Sequence, residues 1–299
     1  METIRPGAIV VGVTGPGEEQ GALRFAAACA ERDHVEVVLV HAYEATHSAP
    51  PPSVLLTYAP VEDVAKRVVT AVGEEFEDVT RGAVEFRTLL VDGAPAAALV
   101  DLSHDARMVV VQHRRSSALG RLFVGSTARG AAAHASCPVV SVNADWTPAD
   151  PPGDVVVGLD EEGMPPEVAE AGYAWAAATG APVRIVHAWR LDPAYDDLIP
   201  VGAVPEWRKG QKEVLASAVA RLTERHPEVP LALEVRHHWP ADVLVDDSQV
   251  ASLVVVGRHR SHRWGPRRLG SIAGTVLREA RSPVMVVPVG AAADVPHAD

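Results

Sequence analysis

The segment APAAALVDLSHDARMVVVQ, residues 94–112, combines two patterns that decide the fold. The part that begins at Pro95 is rich in alanine and leucine and predicts a short helix, because proline is well tolerated at the first helical position. The part that ends the segment, RMVVVQ, is a run of apolar, β-branched residues and predicts a strand that is buried on both faces. A helix that leads into a fully buried strand is typical of an α/β sheet with parallel strands.

The same segment returns as WPADVLVDDSQVASLVVVG, residues 239–257. Two further blocks repeat in the same order, with almost the same separation. AIVVGVTG (8–15) matches DVVVGLDE (154–161), and VEVVLVHAYE (35–44) matches APVRIVHAWR (181–190). A single repeat of this length indicates a duplicated domain, and it excludes a solenoid of short units.

We therefore predict two tandem doubly wound (Rossmann-like) α/β domains, each a five-stranded parallel sheet flanked by helices. The predicted boundaries are residues 1–145 for domain 1, 146–153 for a proline-rich linker, 154–290 for domain 2 and 291–299 for a tail. In domain 1, EEQGALRFAAACAE (18–31) predicts a helix with Glu18 and Glu19 in its first turn. Ligands of such sheets bind beyond the carboxyl ends of the strands, where the strand order reverses.

Composition excludes several classes of protein. The chain has 299 residues, a formal net charge of −12 and only two cysteines, Cys29 and Cys137. The charge disfavours nucleic-acid and membrane-surface binding, and two cysteines cannot form a disulfide framework or a cysteine-rich metal site. The N-terminal segment does not resemble a signal peptide, so we expect a cytoplasmic protein.

Two stretches have the glycine spacing of a P-loop. LGRLFVGST (119–127) and WGPRRLGSI (264–272) each contain two glycines separated by four residues. A P-loop requires lysine after the second glycine, and both stretches have serine there. We interpret Gly120 and Gly265 as turn glycines, and Gly125 and Gly270 as the start of a helix.

The stretch VVVGRHRSHRWGPRRLGSIAGTVLREARSPVMVVP, residues 254–288, resembles the universal stress protein family. The phosphate motif of that family is G-x2-G-x9-G-[ST]. Gly257 matches its first glycine, Gly270 and Ser271 match its last pair, and Arg260 replaces its middle glycine. A strand that ends in aspartate (VVVGLD) and the sequence VHAW after the second strand also belong to the pattern, so the resemblance extends over nearly the whole chain as a tandem pair.

This resemblance implies binding of ATP, with Mg²⁺ as a candidate companion, in domain 2. Asp160 would hold the ribose hydroxyls or a metal ion, and the backbone of Ala188 would meet the adenine. Gly257, Gly270 and Ser271 would line the phosphates, because the start of a helix offers free amides to an anion. Arg258 and Arg260 would add positive charge; an exposed arginine-rich loop is the alternative interpretation.

Domain 1 departs further from the family pattern. Thr14 replaces the aspartate, and Gln112 and Arg115 replace the first two glycines. The remaining counterparts of the site are Ala42, Gly125 and Ser126. We predict that this degenerate site binds ATP weakly or not at all.

Other candidate motifs are weaker. TGPGEEQG (14–21) follows a strand but misses the spacing of a dinucleotide-binding fingerprint. His41 and His187 occupy matching strand ends, which favours packed, hydrogen-bonded side chains over catalysts. His237, His238 and the pair 259 and 262 lack a second cluster that would complete a zinc site, so we expect no metal site.

Three functions remain in competition. The first is an ATP-binding regulator of the stress response, for which another adenine nucleotide is an alternative ligand and a homodimer a candidate assembly. The second is a scaffold or chaperone-like interaction protein that binds no nucleotide. The third is a nucleotide-hydrolysing or adenylating enzyme, and we rank it last because no residue resembles a positioned base or nucleophile. The sequence identifies no protein partner.

Overall fold

The computed structural model describes residues 3–44, 61–113, 125–159, 165–190, 203–258 and 269–290. The chain divides into two compact units, Met1–Pro148 and Ala149–Asp299. This division falls within residues 146–153, which the sequence assigns to the linker. Each unit is described by itself below.

Unit 1 is a doubly wound α/β domain. Its elements are β1 (Ile9–Val13), α1 (Gln20–Asp33), β2 (Val37–Tyr43), α2 (Val61–Thr80), β3 (Phe86–Asp92), α3 (Pro95–Leu102), β4 (Met108–His113), α4 (Ser126–His134) and β5 (Val139–Asn143). The five strands are parallel and lie in the order β3-β2-β1-β4-β5. The fold class predicted for domain 1 is therefore confirmed.

Unit 2 repeats this architecture. Its elements are β6 (Val155–Gly158), α5 (Pro166–Thr179), β7 (Val183–Trp189), α6 (Ala203–Arg225), β8 (Leu231–His237), α7 (Pro240–Asp247), β9 (Leu253–Gly257), α8 (Ser271–Glu279) and β10 (Val284–Val287). Its parallel strands lie in the order β8-β7-β6-β9-β10. The matching order shows that both copies of the repeat adopt one topology.

The apolar runs form the centre of each sheet. Val10 of β1 and Val109 of β4 are fully buried, as are Val156 of β6 and Val254 of β9. In unit 1, α1 and α2 pack on one face of the sheet, and α3 and α4 pack on the other. Helices α5 and α6, and α7 and α8, pair in the same way in unit 2. Burial on both faces explains why these strands have no polar alternation.

The predicted start of α1 was wrong. The helix begins at Gln20, so Glu18 and Glu19 precede its first turn. Glu19 occupies the N-cap position but makes no capping bond to the helix, and it is only 2% exposed. Glu19 therefore does not make the expected interaction with the helix dipole, and its carboxylate is instead a buried hydrogen-bond acceptor.

The strand order places one crevice in each unit. In unit 1, β1 lies between β2 and β4, and the chain leaves β1 towards α1 on one face of the sheet but leaves β4 towards α4 on the other. In unit 2, β6 and β9 have the same relation. The carboxyl ends of these strand pairs are the positions at which doubly wound sheets bind ligands.

Candidate functional site

The described site residues of unit 2 lie at the carboxyl edge of its sheet. Gly257 is the last residue of β9, Ala188 lies near the end of β7, and Gly270 and Ser271 begin α8. Arg258 follows β9, and its backbone N–H donates to the carbonyl of Val287 at 2.9 Å. The two other predicted residues, Asp160 and Arg260, lie outside the described residues.

The start of α8 is the part of the predicted site that would face an anion. Gly270 is the N-cap, and no side chain among the described residues caps the helix. The Gly274 N–H donates to the Gly270 carbonyl at 2.9 Å, so the amides before Gly274 belong to the first turn, which has no partner further back in the helix. The φ of Gly270 is −61°, a value that any residue adopts. Conformation therefore does not explain this glycine.

Gly257 has a packing role. A Cβ at this position would lie 3.0 Å from Cγ2 of Val168 in α5 and 3.2 Å from Cγ2 of Val289. Both distances are tighter than nearly all real contacts of a Cβ. The absence of a side chain therefore lets α5 and the segment after β10 approach the end of β9. This requirement holds whether or not a ligand approaches the backbone of Gly257.

The matched histidines are hydrogen-bonded, as predicted. Nδ1 of His187 lies 3.1 Å from the carbonyl oxygen of Leu159, and Nδ1 of His41 lies 3.1 Å from that of Val13. Because a carbonyl only accepts, each Nδ1 carries the hydrogen. His187 is only 1% exposed, and its Nε2 is buried without a hydrogen-bond partner among the described residues. His187 therefore holds the backbone of Leu159, the residue that follows β6 and precedes Asp160 in the chain.

An aromatic cluster at the same edge escaped the sequence analysis. We use this name for His187, Trp189, Trp207 and His237. The ring of Trp189 lies 4.2 Å from Trp207 and 4.3 Å from His237, measured between centroids. The register pairs Trp189 with His237 across β7 and β8. A comparison of the two copies contains a signal for this cluster. The matching pair in unit 1 is Tyr43 and Asp92, so two rings face each other across this pair only in unit 2.

The loop between β1 and α1 of unit 1 is held by side chains of the same unit. The hydroxyl of Thr14 donates to the carboxylate of Glu19, and the N–H of Gly15 lies 3.4 Å from the other oxygen of that carboxylate. The Gln112 Oε1 accepts from the N–H groups of Gly21 at 2.9 Å and Ala22 at 3.2 Å. Its side-chain amide group donates to the carbonyl of Glu18. Gln112 therefore binds the first turn of α1.

Two other residues predicted for the degenerate site, Gly125 and Ser126, lie at the start of α4. Gly125 is the N-cap of α4 with φ −56°, and Ser126 begins the helix. A Cβ at Gly125 would meet no atom within 4 Å. Ala42 lies in β2, and Arg115 lies outside the described residues.

Metal ions, membranes and reactive thiols each require a particular arrangement of residues. Among the described residues, no three His, Cys, Asp or Glu side chains are grouped so as to hold a metal ion. In the same part of the chain, no helix has the length and apolar character needed to span a membrane. Burial raises the pKa of the Cys29 and Cys137 thiols to about 12, which disfavours the reactive thiolate.

Comparison with known proteins identifies the relatives of the chain. The Universal stress protein family matches residues 7–143 and 153–288. A universal stress protein of Mycolicibacterium smegmatis is 31% identical over 295 residues, which cover 93% of this chain and 96% of the relative. A universal stress protein of Mycobacterium tuberculosis is 29% identical over 289 residues, with 93% and 96% covered.

A solved structure shares the fold over nearly the whole chain. It is a universal stress protein from Archaeoglobus fulgidus, with a TM-score of 0.70 and 14% identity. The match covers 96% of this chain and 100% of that one. Two family matches and full-length relatives together show that this chain belongs to the universal stress protein family, as a member with two copies of the family domain in tandem.

Proposed function

We propose that this protein is a stress-response regulator that binds ATP, with Mg²⁺, in unit 2 and does not turn it over. The observation that carries the proposal is the start of α8. There, Gly270 precedes a helix whose first turn has no side-chain cap from the part of the chain that the structure describes. Free amides and the positive end of the helix dipole favour the phosphates of a nucleotide.

The surrounding groups suit the other parts of ATP. The backbone of Ala188 lies at the same sheet edge, where the family resemblance puts the adenine. His187 holds the Leu159 carbonyl and so fixes the chain just before Asp160, the expected partner of the ribose. Arg258 follows β9, and on this proposal its guanidinium adds positive charge for the phosphates.

We propose binding without turnover because the histidine that contacts the backbone at this edge does not suit a general base. The ring of His187 is buried, and its Nδ1–H is bound to a carbonyl. A general base needs to reach the proton that it removes. A regulator that changes shape or partner with bound nucleotide needs no such group.

An interaction protein without nucleotide is the second candidate function. Gly257 favours it, because the close packing of Val168 and Val289 explains this glycine without a ligand. On that account the family motif would be retained for the fold of unit 2. The two functions differ in one measurable property, which is whether the purified protein binds ATP.

Titration of the full chain with a fluorescent ATP analogue tests the proposal. We expect saturable binding that Gly270→Val weakens by at least about tenfold, since the valine covers the amides that hold the phosphates. The matched control is Gly125→Val in unit 1, which has a similar φ and open space around it. Equal binding by wild type and Gly270→Val, or no binding at all, would contradict the proposal.

A further inference from the structure

The loop between β1 and α1 in unit 1 is fastened by three acceptor side chains. We call Glu19, Glu75 and Gln112 the loop clamp. Glu19 and Gln112 bind the donors described above, and Glu75 accepts from the N–H of Gly17 at 2.9 Å and from the side chain of Gln20. Together they accept from six donors of the loop and the first turn. These donors belong to Thr14, Gly15, Gly17, Gln20, Gly21 and Ala22.

Unit 2 has none of the three acceptor residues of the clamp at the matching positions, so the fold does not require them. Gln112 corresponds to Gly257, and Glu19 corresponds to Pro165. When the buried positions of α2 are aligned with those of α6, Glu75 corresponds to Arg221. None of these three residues in unit 2 can accept a side-chain hydrogen bond. The two copies have therefore diverged at every position of the clamp.

The space around Gln112 shows how unit 1 accommodates the clamp. In unit 2, the volume beside the glycine at the end of β9 is taken by two valines. The corresponding positions of unit 1 hold alanines, which leave room for the longer glutamine. The pairs are Gln112 and Gly257, Ala22 and Val168, and Ala144 and Val289. Large and small residues have been exchanged together.

From these contacts we propose that the loop clamp closes unit 1 to nucleotides and that Gln112 and Glu19 determine which unit binds. The inference rests on the proposed function. Thr14 occupies the position of Asp160, and its hydroxyl proton is committed to Glu19, a side chain that is 98% buried. A ribose at this edge would have to displace the carboxylate of Glu19. That displacement would break the hydrogen bonds between Glu19 and the loop.

Hydrogen exchange of the full chain tests the clamp without any nucleotide. Gln112→Met keeps the length of the side chain but removes the acceptor, whereas Gln112→Glu keeps the acceptor for Gly21 and Ala22 and loses the bond donated to Glu18. We expect amide exchange at Gly21 and Ala22 to become at least about tenfold faster in the methionine variant and to increase less in the glutamate variant. Unchanged exchange in the methionine variant would overturn the inference.

The second measurement is the binding stoichiometry of the wild-type chain for the fluorescent ATP analogue. One site per chain, unaffected by Gly125→Val, supports closure of unit 1. Two sites per chain, one of them lost in that variant, would overturn it. No binding at all would contradict the proposed function, and hydrogen exchange would still decide whether the clamp holds the loop.

Discussion

Substitution of Gly21 by alanine tests how closely α1 approaches the sheet of unit 1. A Cβ at Gly21 would lie 1.9 Å from the carbonyl oxygen of Asn143 and 2.9 Å from the carbonyl carbon. The contact would have to open by about 1.5 Å to reach the 3.4 Å at which ordinary van der Waals contacts begin. Both atoms at the contact belong to backbone, so no side chain can rotate away.

The cost of this movement can be estimated from what α1 binds. Gln112 holds the N–H of Gly21 at 2.9 Å, and Arg24 donates to the carbonyl of Ala144 at 2.8 Å and to that of Trp146 at 2.9 Å. Phe25, which is buried, makes an edge-to-face contact with Trp146. Overpacking costs about 1–3 kcal/mol in well-packed sites, and strained hydrogen bonds add to it, so we expect a loss of about 3 kcal/mol or more in the free energy of unfolding.

Urea unfolding of the full chain, monitored by circular dichroism, measures this loss. The matched control is Gly125→Ala, where a Cβ meets no atom within 4 Å. We expect this control to stay within about 0.5 kcal/mol of wild type. If Gly21→Ala were as stable as the control, the close approach of α1 to β5 would be refuted.

Three further predictions concern buried polar groups. His187→Ala should lower the free energy of unfolding of unit 2 by about 2–3 kcal/mol, measured by tryptophan fluorescence. His187→Asn should lose less stability because its amide restores a donor, and equal losses in the two variants would contradict the role of the Nδ1–H. Arg184→Val should lower the free energy of unfolding in urea by about 2–4 kcal/mol. The guanidinium of Arg184 lies 3.1 Å from the buried carboxylate of Asp247, which would lose one of its cationic partners. An unchanged free energy of unfolding would refute this prediction. Burial raises the pKa of Cys29 and Cys137 from 9.0 to about 12, so their stabilising contribution is complete below pH 9 and is lost as the pH rises towards 12. Both thiols should react with a disulfide reagent at pH 8 only after unfolding, and rapid labelling of native protein would contradict their burial.

The fold was predictable because its strongest signals are local and occur twice. Buried parallel strands are continuous apolar runs, and Pro95 and Pro240 mark the starts of α3 and α7 as predicted. The start of α1 was not predictable from propensity, because Glu19 satisfies donors of the preceding loop and not the helix. A glutamate in the first turn of a helix and a buried glutamate just before that turn give the same sequence pattern.

The sequence assigned the candidate site residues to positions in the two copies, but it could not predict their contacts. Alignment of the two copies located Gln112 and Gly257, yet it could not show that Gln112 binds the first turn of α1 or that Gly257 is packed against Val168. Both contacts join residues that are far apart in the chain. The alanines that accompany Gln112 in unit 1 and the valines that accompany Gly257 in unit 2 are the sequence trace of this exchange.

Native mass spectrometry of the full chain with saturating ATP and Mg²⁺ tests the central claim most directly, because it counts bound nucleotides on each molecule. The account predicts one nucleotide per chain, lost in Gly270→Val and retained in Gly125→Val. Two nucleotides on each chain, or a single one that disappears in Gly125→Val and persists in Gly270→Val, would contradict it.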